Sequence, residues 1–122
     1  MSHEELIHEI MRDKQLASLG DAFVNFICSL ALTKTSRKPQ GVKVSDRIIA
    51  EAFRQSGLRK YLGTRVSRKD LANASESLLA EAYQRKLITI EESVNILSEN
   101  QDGLETGLCE LMKLAAHRMT PS

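Results

Sequence analysis

The chain has 122 residues, enough for one domain (residues 1–122) with one core of modest size. Its two cysteines, Cys28 and Cys109, lie far apart without metal spacing, each in an apolar helical run, and read as small buried hydrophobes rather than ligands or a disulfide framework. No signal peptide and no apolar run long enough to span a bilayer is recognised, so a cytoplasmic protein with no membrane partner is expected.

The two prolines lie outside the strongest periodic segments and β-branched runs are few, which predicts an all-α chain. Glu4 to Met11 reads as a short amphipathic helix with Leu6, Ile7 and Ile10 inward, Ser2 as cap and two acids in its first turn. His3 and His8 fall on different faces and read as boundary residues. After a break at Asp13, a long helix runs to about Leu32. Leu16, Leu19, Phe23, Phe26, Ile27 and Leu30 mark its expected apolar face. Asp21 lies off that face, between Ala17 and Asn25, in a strip of small or polar side chains. Gly20 costs about 1 kcal/mol in a helix interior, which a closely approaching second element would justify.

Thr33 to Val42 is expected to be a basic, mobile loop suited to phosphate contact, or else a plain solvated connection. Ser45 caps a helix over 46–56 that Gly57 ends, with Ile48, Ile49, Ala52 and Phe53 inward. A short helical turn follows over Leu58 to Leu62. Ser67 and Asp70 have capping-box spacing and start a helix to about Lys86, with Leu71, Ala74, Ser75, Leu78 and Ala82 on its packed face. Asn73 and Glu76 share one side of it, a turn apart, among small neighbours. Thr89 and Glu92 start a further helix to about Ser98 with Val94 and Leu97 inward, and a last helix spans about Leu104 to His117.

The net charge of +1 conceals a segregation. Residues 34–69 hold eleven Lys or Arg against two acids, a net +9, while the rest holds six basic and fourteen acidic residues, a net −8. Such a field attracts a polyanion although the whole chain is nearly neutral. Lys34, Arg37, Lys38, Lys43, Arg47, Arg68 and Lys69 are the residues expected to face the phosphates of such a polyanion.

Three segments, in order, carry a resemblance. Leu19-Gly20-Asp21-Ala22 with its apolar helix is similar to the signature helix of the ribonuclease III catalytic domain. Asp70 to Tyr83, containing Ala72-Asn73-Ala74-Ser75-Glu76, resembles that family's other acidic helix. Val44 to Ala52 and Gly57 to Leu62 resemble the helix and Gly-Leu segment between them. The resemblance runs from about Lys14 to Lys86. It implies an all-α, ribonuclease III-like helical bundle, a homodimer packed through the signature helix, and a compact, archaeal-like or Mini-III-like member without a double-stranded-RNA-binding domain.

The implied activity is metal-dependent hydrolysis of phosphodiester bonds in double-stranded or structured RNA. Asp21 and Glu76 would hold Mg²⁺ or Mn²⁺, and Asn73 would add a carbonyl or position a water, because such ions take oxygen ligands and need only one or two carboxylates. The departures are Ala17, Lys14 and Asn73, which stand where many relatives carry acids. They leave Asp21 and Glu76 as the acids of that set. The alternative is a catalytically inactive RNA-binding or dimerisation module of the same fold.

Overall fold

The computed structural model describes residues 1–121. Its elements are α1 (His3–Met11), α2 (Lys14–Ser36), α3 (Asp46–Ser56), a 3-10 turn over Leu58–Tyr61, α4 (Arg68–Gln84), α5 (Ile90–Glu99) and α6 (Leu104–Arg118). No strand is present among the described residues.

The starts of the helices follow local chemistry. Ser2, Asp13, Ser45, Ser67 and Thr89 are N-caps whose side-chain oxygens accept backbone N–H groups from the first turn. Ser67 and Asp70 form a reciprocal capping box. Thr89 and Glu92 have the same capping-box spacing, but Thr89 alone makes its bond, and the Glu92 carboxylate pairs with Arg118 instead. Gly57 closes α3 with φ 79°, a left-handed conformation that costs glycine little.

α4 is the centre of the bundle. It packs against α1, α2, α3 and α6, and every residue from Ala74 to Ala80 is buried. Its small side chains (Ala72, Ala74, Ser75, Ser77, Ala80) let four neighbours approach one helix. Around it, Ile7, Val24, Ile27, Ile49, Phe53, Leu108, Leu111 and Met112 fill the core. Both cysteines are buried and free. Burial pushes the Cys28 thiol up to about 12, which leaves it unreactive as a nucleophile.

Three expectations change on α2. The helix continues one turn further, to Ser36. Its buried face is Ala17, Gly20, Phe23, Val24, Ile27, Cys28 and Ala31, whereas Leu19 and Phe26, expected inside, are 44% and 52% exposed. The helix is apolar on more than one side, so periodicity alone selected the wrong stripe. By length and composition (23 residues, mean hydropathy 1.5) it also meets the requirement for a membrane span, contrary to the sequence expectation. It nevertheless packs laterally on α4 and α5, and the core helix of a soluble bundle has the same profile.

The loop after α2 is fastened rather than free. Thr33 bonds Gln40 through both backbone groups of that residue, Ser29 Oγ accepts from Val42 N (2.9 Å), and Asn25 Oδ1 accepts from Val44 N (2.7 Å). Polar residues one helical turn apart on α2 thus catch alternate residues of an extended chain. This zipper brings residues 43–46 back beside Asp21.

Candidate functional site

The site begins at a contact between two backbones. A Cβ on Gly20 would lie 2.7 Å from the Glu76 Cα and nearer still to the Glu76 carbonyl. Only glycine fits, and the close crossing of α2 and α4 offsets the helix cost of Gly20. Asp21, the next residue, therefore stands within hydrogen-bonding reach of the Glu76 carboxyl. Asn25 Nδ2 donates to Asp21 Oδ1 (3.4 Å) while its Oδ1 holds Val44 N, so one amide orients the acid and anchors the loop.

Glu76 is 2% exposed, and its Oε2 has no hydrogen-bond partner. Burial first, then the hydrogen bond to Asp21 and the charges of Asp21 and Asp46, push this carboxyl from 4.5 up to about 8, against the opposing pull of Lys69. Without a cation, the glutamic acid keeps its proton at neutral pH.

Both acids open on a cavity of about 470 Å³. Its lining also includes Lys14, Ala17 and Ser18 from α2, Lys43 to Asp46 from the loop and α3, and Lys69 and Asn73 from α4. Lys69 Nζ pairs with Asp46 Oδ2 at 3.3 Å. A second cavity of about 390 Å³ adjoins the first through Lys14 and Asn73. Met11, Leu62 and Val66 give it apolar walls, and His8, Arg12 and Asp70 line its polar side. There His8 donates from Nδ1 to the Tyr61 carbonyl (2.8 Å), leaving Nε2 to accept from Arg12 (3.5 Å).

Among the described residues, no three His, Cys, Asp or Glu side chains converge closely enough to enclose a metal ion. Asp21 and Glu76 still fit a magnesium-type cation. Such an ion retains several waters and takes one or two carboxylates. A buried carboxylate oxygen without a donor needs a proton or a cation beside it, and Asn73 adds an amide carbonyl one turn before Glu76.

Of the residues singled out from sequence, Asp21, Asn73, Glu76, Lys43 and Lys69 line the same cavity. Arg47 and Arg68 are exposed in the first turns of α3 and α4. Lys34, Arg37 and Lys38 are not brought to it. Lys34 is almost four helical turns beyond Asp21, roughly 20 Å along the axis, and it donates to Asn95 on α5 (2.8 Å). Two charged lining residues escaped the sequence reading as site members. Lys14, seven residues before Asp21, shares its side of α2, and helical spacing carried that signal. Asp46 gave no signal beyond that of an acid in a first turn.

Comparison with individually curated proteins returned no match. The sequence profile of the family described as Ribonuclease III matches residues 14–113, from the first residue of α2 into α6. That span covers more than four fifths of the chain and contains the α2–α4 crossing with both carboxylates; the chain belongs to the ribonuclease III family.

Proposed function

We propose that this protein is a metal-dependent endoribonuclease that cuts double-stranded or structured RNA, with Asp21 and Glu76 holding Mg²⁺ or Mn²⁺. The observation that carries the reading is the buried, unpartnered Oε2 of Glu76 beside Asp21. A stability-driven core would have replaced that pair by apolar residues of similar size. A divalent cation, when bound, supplies charge neutralisation at the phosphate and a more acidic water. The chain's own residues do the rest. Gly20 sets the spacing of the two carboxylates. Asn25 fixes the orientation of Asp21. Asn73 presents an amide to a water or a phosphate oxygen. Lys14, Lys43 and Lys69 at the cavity wall attract the backbone of a duplex, and Arg47 and Arg68 extend that positive surface. A-form RNA would be read by shape and 2′-hydroxyl contacts.

We further propose a homodimer. Leu19 and Phe26, two turns apart on α2, and Tyr83 of α4 are exposed, and Phe23 lies against Tyr83 at 5.0 Å between ring centroids. This apolar strip runs along the family's signature helix, and a second copy would bury it. Phe26→Glu is expected to convert a dimer into a monomer in sedimentation analysis; a wild-type monomer would remove the dimer from the reading.

The direct test is cleavage of an end-labelled RNA duplex with Mg²⁺ or Mn²⁺. Asp21→Asn and Glu76→Gln are each expected to lower the rate roughly a hundredfold or more. One observation favours a second reading: three lysines line the cavity with three acids, and among the described residues no three acids converge on one point. A protein that binds duplex RNA in a salt-sensitive way without cutting it is the inactive, RNA-binding form of the fold.

A further inference from the structure

Asp46 is a first-turn acid of α3 whose carboxylate caps no helix. Asp13 accepts Gln15 N and Leu16 N as the cap of α2, and Asp70 accepts Ser67 N in the capping box of α4. Ser45, not Asp46, caps α3. The carboxylate of Asp46 instead turns into the cavity it shares with Asp21 and Glu76, where its side-chain bond is the one from Lys69 Nζ at 3.3 Å. That pair is exposed, with Lys69 at 67% and Asp46 at 39%. Exposed ion pairs add little to folding stability.

Lys69 comes from the first turn of α4, seven residues before Glu76 and therefore on the same side of the helix two turns away. Its ammonium is attracted by Glu76 and Asp21 as well as by Asp46. Meanwhile the buried Oε2 of Glu76 points to a missing positive partner. The arrangement is that of an acidic cation site with a tethered ammonium at its edge.

We propose that Asp46 is the third acidic group of the cation site and that Lys69 is its resident counter-ion, released from Asp46 when a divalent cation binds. This rests on the cation reading given above. Asp46 would compensate for the acids replaced by Lys14, Ala17 and Asn73, from a different element of the fold. A magnesium-type ion keeps several waters, so Asp46 can hold it through one of them without joining Asp21 and Glu76 in direct contact. Lys69 has a flexible four-carbon stem and a compact ammonium. Once released it stays at the cavity mouth, available to a phosphate oxygen of the RNA.

The test is Mn²⁺ binding to the purified full chain, without RNA, followed by loss of the free-ion electron paramagnetic resonance signal. Lys69→Met is expected to tighten binding and Asp46→Asn to weaken it, each by about tenfold, the effect of one partly screened charge on a divalent ion. The double variant Lys69→Met/Asp46→Asn is expected to bind more weakly than Lys69→Met alone. If the double variant equals Lys69→Met, Asp46 only parks the lysine and the assignment is overturned. Binding lost in Asp21→Asn and Glu76→Gln but indifferent to Asp46 and Lys69 also overturns it, while leaving the two-carboxylate site intact. No Mn²⁺ binding by the wild-type chain would instead defeat the cation reading and this proposal together. Circular dichroism melting of each variant separates these outcomes from misfolding.

Discussion

The α2–α4 crossing and the α5–α6 pair use the same parts to different ends. Each has a glycine where two helices meet, and each has a glutamate nearby. At α5–α6, a Cβ on Gly107 would lie 2.9 Å from the Leu97 Cδ2 and 3.2 Å from its Cα. Glu92 there is answered by a two-pronged Arg118, at 2.6 and 3.1 Å, which also donates to the Leu87 carbonyl. At α2–α4, Gly20 faces backbone, and Glu76 has an acid rather than a base beside it. One region is closed electrostatically and the other is left open. A buried carboxyl oxygen without a donor works against folding, and that difference supports the α2–α4 crossing as the proposed binding site.

The glycines give the sharpest way to break this comparison. Gly20→Ala must displace the backbone of the central helix and is expected to destabilise the protein by more than about 3 kcal/mol. Gly107→Ala must shift a leucine side-chain end and ease a 3.2 Å contact with the Leu97 Cα, partly offset by helix propensity, so a smaller loss of about 1 to 2 kcal/mol is expected. Urea unfolding of the two variants compares them directly. Equal losses would mean that the α2–α4 contact is no tighter than the other.

The glutamates give the next largest contrast. Glu76→Gln is expected to lower RNA cleavage roughly a hundredfold or more, as described above, whereas Glu92→Gln lies outside the cavity and is expected to leave the rate unchanged while lowering the melting temperature. Loss of cleavage in both variants would show that the activity assay reports folding rather than the site.

The same two side chains should bend the pH dependence of stability in opposite directions. Glu76 is raised from 4.5 to about 8 in the fold. Between those values the unfolded chain binds fewer protons than the folded one, so stability falls as pH rises, by up to roughly 4 kcal/mol for the cation-free protein. Glu92 is held below its ordinary value, first by the hydrogen bond from Arg118. Its contribution is present above that ordinary value and is lost as pH falls through the folded one. Melting curves from pH 4 to 9 are expected to lose their alkaline decline in Glu76→Gln. A wild-type curve flat between pH 5 and 8 would contradict the shift at Glu76.

Much of this architecture was legible because its causes are local. The N-caps Ser2, Ser45, Ser67 and Thr89 are read from side-chain oxygens a few residues from the N–H groups they satisfy. Gly20 was legible as a point of close approach, since a glycine inside a helix needs a packing reason. Asp21 and Glu76 were singled out through the resemblance to the family's two acidic helices. Leu19 and Phe26 were misplaced because α2 has apolar residues on both its core side and its surface side, and a 3.6-residue period cannot say which side meets α4. Thr33 to Val42 was expected to be a mobile loop or a plain solvated connection, yet Asn25, Ser29 and Thr33 fasten Gln40, Val42 and Val44 through bonds across seven to nineteen positions of the chain.

The sequence by itself determined an all-helical chain, the beginning of each helix, and the two acidic segments by which the family is recognised. These follow from backbone capping, hydrophobic period and residue order, all short-range properties. Only the tertiary structure decided that α4 is the central helix, that Asp46 and Lys69 meet at the carboxylates, and that Lys34 does not. Those are questions of which faces touch, and they are settled by how closely small side chains let helices approach.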